Sequence, residues 1–340
     1  MNGTPELLLE VKGLTASLET DTGTIRPVND VTFSVHSGET LAVVGESGSG
    51  KSMLAFSLMR LLPQSGRFER GSILWRGRNL LDLSNEQIRR VRGKEIALIF
   101  QEAGAALNPV RTIGDQVAEP LRAHLALSRR AARDRAVELL AEVRIPDPAG
   151  RAKDYPHQLS GGMKQRVLIA MAISCDPALV IADEPTTALD ATLQARILEL
   201  LGRLKEERRL SLLLITHDLA LVRENADRVA VMYAGRLVEQ GSSASILNDP
   251  RHPYTRGLWA SLPRPRAGVE GKAKLAAMAG MVPHLAALPR GCAFSPRCPV
   301  RFEPCDREVP TLQIVGGTSD PLHQGACYHD SAVLAAMGAR

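Results

Sequence analysis

"GESGSGKS", residues 45–52, decides how this chain is read. It satisfies G-x-x-x-x-G-K-[ST] through Gly45, Gly50, Lys51 and Ser52. An apolar run, "TLAVV", precedes it, and Met53, Leu54, Leu58, Leu61 and Leu62 follow at helical spacing. A strand, a glycine turn and a helix are therefore expected. In such a turn the backbone of Gly45, Glu46, Ser47, Gly48, Ser49 and Gly50 curls so that its N–H groups and the helix N-terminus face phosphate oxygens. Lys51 is expected to meet the β and γ phosphates of ATP, and Ser52 to ligate Mg²⁺.

A triphosphatase also needs a carboxylate for the metal and a group that activates water. "ALVIADEPTTALD", residues 178–190, reads as a buried parallel strand ending in Asp183 and Glu184, where open α/β sheets hold their ligands. Asp183 is the expected Mg²⁺ partner and Glu184 the general base. "SLLLITHDLALV", residues 211–222, is a second apolar strand that ends in His217. Between these motifs, "YPHQLSGGMKQRVLIAMAIS", residues 155–174, places Ser160, Gly161 and Gly162 at the start of a helix, a second anion-binding end. One nucleotide hardly needs two such ends from one chain. A second copy facing the first head to tail would use both.

The joint order of "GESGSGKS", Gln101 in "IFQEAGAALNPV", "LSGGMKQR", "ALVIADE", "TALD" and His217 resembles the ATP-binding-cassette (ABC) ATPases over about residues 11–241. The resemblance implies an α/β, P-loop, RecA-like core with an antiparallel β subdomain and an inserted helical subdomain at about residues 102–165. It implies that Gln101 senses the γ phosphate and Mg²⁺, that Ser160, Gly161 and Gly162 contact a partner's ATP, and that Asp190 bridges the dimer. One departure stands out: "TASLETDTGTIRPVNDV" lacks the aromatic residue that usually stacks on adenine, which leaves Ile25 or an apolar neighbour to cover the ring.

The other decisive segment is the tail. Four of the five cysteines, Cys292, Cys298, Cys305 and Cys327, fall near the C-terminus, with Cys175 the exception. Their spacing fits neither common zinc rhythms nor bacterial ferredoxins, yet four thiolates suit either zinc or an iron–sulfur cluster. "RHPYTRGLWASLP", "GCAFSPRCPVRFEPC" and "GACYHD", with "LNPVRTIGDQV" after Gln101, are similar to ATPase subunits of oligopeptide and dipeptide importers, a branch that includes nickel importers. That resemblance implies a [4Fe-4S] cluster on the four cysteines, Zn²⁺ being the alternative, and leaves His323 and His329 as surface residues. The expected division is a nucleotide-binding domain over residues 1–245 and a metal-binding extension over 246–340, whose first part, to about residue 280, is a short helical and linker stretch.

Composition agrees with a globular α/β protein: 340 residues, 44% hydrophobic and only 4% aromatic. The net charge of +5 is spread through mixed-sign runs such as "SRRAARDRAVELLAEVR", so no nucleic-acid partner is expected. No apolar run approaches the length of a membrane span, and no secretory leader is seen. The expectation is a peripheral subunit on the cytoplasmic face of a bacterial inner membrane that hydrolyses ATP to power peptide import. It would act with a second, homologous ATPase, two permease subunits and an external substrate-binding protein. The alternatives are a nickel or other small-solute importer, an exporter ATPase, or a soluble ABC ATPase. The last usually shows long coiled coils or two cassettes per chain, neither of which is present.

Overall fold

Two hydrophobic patterns make two kinds of sheet. The computed structural model describes residues 6–187, 189–261, 278–318 and 320–328. β1 (Leu7–Thr20) and β2 (Gly23–His36) form a long hairpin that buries Leu9, Val11, Val28 and Val31 on one side. β3 (Thr40–Val44), β4 (Gly66–Trp75), β5 (Arg78–Asn79) and β6 (Ile96–Ile99) follow. β2, β1, β4 and β5 make an antiparallel sheet in that order. β3, β7 (Leu179–Asp183) and β8 (Ser211–Thr216) are instead buried at every residue, as expected of parallel strands covered on both faces.

These central strands belong to a second sheet, completed by β9 (Arg228–Tyr233), β10 (Arg236–Ser242), β11 (Gln313–Ile314) and β12 (Gln324–Gly325). Its order is β11-β12-β10-β9-β3-β8-β7-β6, with β9, β3, β8, β7 and β6 parallel. The carboxyl ends of β3, β7 and β8 therefore meet at one edge, the usual ligand edge of an open α/β sheet.

α1 (Lys51–Leu58) starts directly from the glycine turn, and α2 (Asn85–Val91) starts from a capping box between Ser84 and Gln87. Between β6 and β7 run α3 (Ala103–Ala106), α4 (Ile113–Leu125), α5 (Arg129–Glu142), α6 (Pro148–Arg151) and α7 (Gly161–Ile173). α5 buries Ala132, Ala136, Leu139 and Leu140 and leaves much of its charge to solvent. The remaining helices are α8 (Ala191–Arg208), α9 (Leu219–Asn225), α10 (Ser243–Asn248), α11 (Pro253–Ala260) and α12 (Glu303–Arg307).

The tail is less separate than its composition suggests. A cut between residues 245 and 246 falls inside α10, and β12 pairs with β10, so the tail extends the central sheet. Phe294 and α11 share a core with Val44, Val229 and Tyr233. Of the expected helical and linker stretch to about residue 280, residues 262–277 lie outside the described residues, as does His329. His323 corrects the surface reading: it is fully buried, and its Nε2 lies 2.7 Å from Glu239 Oε1. The same Glu239 carboxylate accepts from the backbone N–H groups of Arg251 and His252, so this one buried acid ties two parts of the tail to β10.

Candidate active site

Residues 45–52 fold as a turn because no side chain fits at its tight points. A Cβ on Gly50, whose φ is 103°, would lie 2.0 Å from the Pro27 carbonyl oxygen, and one on Gly45 would lie 2.2 Å from that of Met232. The Lys51 side chain is almost fully enclosed, and its Nζ donates to the carbonyls of Gly45 (2.8 Å) and Glu46 (3.0 Å). Burial lowers its pKa, against the opposing pull of Glu184, Asp183 and Glu46. Ser52 Oγ donates to Asp183 Oδ1 at 3.1 Å. Burial pushes the Asp183 carboxyl up to about 6, with Glu184 adding to the rise and Ser52 and Lys51 opposing it. A hydroxyl beside a buried carboxylate short of a cation is a donor set that fits Mg²⁺. Ser49 Oγ, in the same loop, is buried with no hydrogen-bond partner among the described residues.

Glu184 is the hub of the site. Its Oε2 accepts from Gln101 Nε2 (2.9 Å) and Thr187 Oγ1 (2.8 Å), while its Oε1 lies 3.2 Å from His217 Nδ1 and 4.0 Å from Lys51 Nζ. Its φ of 44° is left-handed, a strained conformation for a residue with a side chain, held in part by the bond from Glu184 N to the Ile215 carbonyl. Lys51, Ser52, Gln101, Glu184 and His217 line one cavity of about 700 Å³, large enough for a nucleotide. Ile25 and Leu18 line it too, and among the described residues no aromatic side chain lines it.

Four other expected nucleotide contacts lie elsewhere in the chain. Ser160 caps α7 by accepting from Met163 N, Gly161 is exposed, and Gly162 packs so closely on Leu193 that a Cβ would clash. Asp190 caps α8, accepting from Leu193 N at 2.9 Å. None of them lines the cavity.

The four tail cysteines do come together. All line one cavity with Phe294, whose volume is only about 10 Å³. Burial raises the pKa of the Cys292 and Cys298 thiols, so an uncharged sulfur is favoured there. Among the described residues no three His, Cys, Asp or Glu side chains form a group that could hold a metal ion. The space enclosed by the four thiols is about that of one small ion or water.

The comparisons with known proteins agree on this architecture. Residues 28–187 match the family "ABC transporter", and residues 238–305 match "Oligopeptide/dipeptide transporter, C-terminal region". A putative peptide import ATP-binding protein of Brucella melitensis is 51% identical over 317 residues, covering 91% of this chain and 94% of its own. The chain belongs to the ABC transporter ATPases of the peptide import family. A probable peptide ABC transporter ATP-binding protein of Sinorhizobium fredii is 45% identical over 334 residues and covers 98% of each chain. Among solved structures, a dimeric ATP-binding cassette in a post-hydrolysis state bound to ADP and Pi superposes with a TM-score of 0.63 at 28% identity, over 69% of this chain and 99% of that one.

The structure of this ABC ATPase also brings to the cavity region residues that the sequence reading did not single out. Thr187 had a local signal, lying three residues after Glu184 in a turn closed by the bond from its N to the Glu184 carbonyl. Tyr254 and Arg297 had none. They reach Glu46 from 208 and 251 residues away.

Proposed function

We propose that this ABC ATPase hydrolyses ATP to drive the import of peptides through membrane permease subunits. The observation that carries the catalytic part is the convergence of Lys51, Ser52 and the Gln101–Glu184–His217 group on one cavity, with Asp183 hydrogen-bonded to Ser52 behind its wall. The peptide cargo is carried by the match of residues 238–305 and by the named relatives. We read residues 1–245 as the nucleotide-binding part, about 102–165 as its helical subdomain, and 246–340 as the extension.

The phosphate loop and Lys51 would bind the triphosphate, and Ser52 and Asp183 would hold Mg²⁺, which screens the charge on the phosphate oxygens when bound. Glu184 would take a proton from the attacking water as its oxygen bonds to the γ phosphorus and the bond to the β–γ bridging oxygen breaks. Gln101 and Thr187 hold one carboxylate oxygen, leaving Oε1 beside His217 as the one able to act on water. The exposed helix end at Ser160 and Gly161 would complete the site of a partner ATPase in a head-to-tail dimer. Among the described residues no helix is long and apolar enough to cross a membrane, which fits association with separate permease subunits at the inner face of the membrane.

For the tail, we read the four cysteines as ligands of a metal centre, supported by their convergence on one cavity and by their donor chemistry. Iron, acid-labile sulfide and zinc in anaerobically purified protein test that reading. Iron and sulfide together favour the cluster, zinc alone favours a single-ion site, and the absence of all three removes it. The transport reading is tested by ATP-dependent uptake of labelled peptide into vesicles holding this chain, its partner ATPase, the permeases and a substrate-binding protein. Peptide uptake that persists without this chain would overturn it.

A further inference from the structure

The phosphate loop touches the cysteine-bearing tail directly, through Glu46. The Glu46 backbone N–H donates to Tyr254 Oη at 2.9 Å, and its carboxylate accepts from Arg297 Nη1 at 3.2 and 3.1 Å. Arg297 stands immediately before Cys298. Its side chain is only 6% exposed, lies over the rings of Tyr233 and Phe294, and donates from Nε to the Ala279 carbonyl. Tyr233 in turn follows Met232, whose carbonyl lies against Gly45 at the start of the loop. Glu46 also touches the catalytic lysine, because Lys51 Nζ donates to its carbonyl at 3.0 Å. A continuous chain of contacts therefore runs from the tail, through Arg297 and Glu46, to Lys51.

The charges explain what this chain of contacts is for. A triphosphate brings several negative charges onto this loop, and a bare carboxylate on the loop's second residue would repel them. Arg297 cancels that carboxylate from a buried position where solvent screens little. Its fixed, planar fork also restricts Glu46 to one conformation. We propose that Arg297 is a positioning residue for ATP: it neutralises and fixes Glu46, and so makes the cysteine-bearing tail part of the nucleotide site. This rests on the reading of the loop as the ATP site.

The test is the affinity of the full chain for an N-methylanthraniloyl derivative of ATP with Mg²⁺, displaced by unlabelled ATP, with thermal melting recorded for each variant. Arg297→Ala is expected to raise Kd about tenfold, since it leaves the partly exposed Glu46 carboxylate unpaired beside the phosphates. Arg297→Lys, which keeps the charge without the planar fork, should lose about threefold. Adding Glu46→Gln to Arg297→Ala should restore Kd to within about threefold of the parent, a recovery that loss of packing alone would not give. In the assembled transporter, Arg297→Ala should raise KM for ATP and leave kcat within about twofold, because Glu184 and His217 are untouched. Parental affinity in Arg297→Ala, whatever its melting temperature, would overturn the proposal. So would a loss that Glu46→Gln fails to repair. A parent chain that binds no ATP would instead overturn the ATP-site reading itself.

Discussion

The nucleotide cavity and the cysteine cavity differ in size and in how their polar groups are paired. The one above β3, β7 and β8 has about 700 Å³ of space, and its polar groups are already paired in register: Lys51 on two loop carbonyls, Ser52 on Asp183, Gln101 and Thr187 on Glu184. The one among Cys292, Cys298, Cys305 and Cys327 has about 10 Å³, and burial raises the pKa of Cys292 and Cys298. A site on the ends of rigid parallel strands keeps its shape without its ligand. A site on short turns, with α12 of five residues as its nearest helix, closes onto itself.

The largest effect should come from the hub of the prepared cavity. Glu184→Gln in the assembled transporter is expected to lower ATP turnover by about a hundredfold or more while leaving nucleotide binding intact. Phosphate release and analogue binding measure the two separately. Turnover near that of the parent would remove Glu184 as the base and reduce the difference between the two cavities to one of size.

The next effect probes the packing that joins them. Phe294 is buried and meets Tyr233 edge-on at 5.4 Å and Tyr254 at 5.5 Å. Phe294→Ala should cost about 3 to 5 kcal/mol in chemical denaturation, because the cavity it leaves lies in a core shared by tail and cassette. Faster alkylation of the cysteines in this variant would show that the small cavity is held shut by aromatic packing. An unchanged alkylation rate would mean that the thiols are held closed by their own turns.

A smaller effect, spread over pH, comes from His252 at the same junction. Burial lowers its pKa to about 4, and its Nδ1 accepts from Tyr254 N, so the folded state keeps the ring neutral. A depressed folded-state pKa gives stability that is complete above the unfolded value near 6.5 and lost as pH falls toward 4. Denaturation midpoints should therefore decline across that window, by at most about 3 kcal/mol from this group. His252→Asn, whose side-chain oxygen can accept from the same N–H, should flatten the decline, and an unchanged slope would assign it to other groups.

The two cavities also differ in how they could be read. The P-loop nucleotide fold was legible because its motifs are contiguous: a strand, a turn and a helix in residues 40–58, and strand ends carrying Asp183–Glu184 and His217. Local sequence sets these because each motif needs only neighbours to form, and the buried parallel strands bring their ends to one edge. The four cysteines were legible as a group, since their side chains converge on one cavity, although their arrangement was not. His323 was misread because nothing near it announces a partner: Glu239 is 84 residues away on β10.

What sequence alone determined here is the P-loop core, the strand ends that carry Asp183, Glu184 and His217, and the family. Tertiary structure alone decided that the tail joins the central sheet through β12, that Glu239 anchors it, and that Tyr254 and Arg297 close on Glu46. The reason is range. A motif carries its geometry within a few residues through backbone torsions and spacing, whereas the pairing of Arg297 with Glu46 spans 251 residues and exists only once β9, α11 and the cysteine turns have packed against one another.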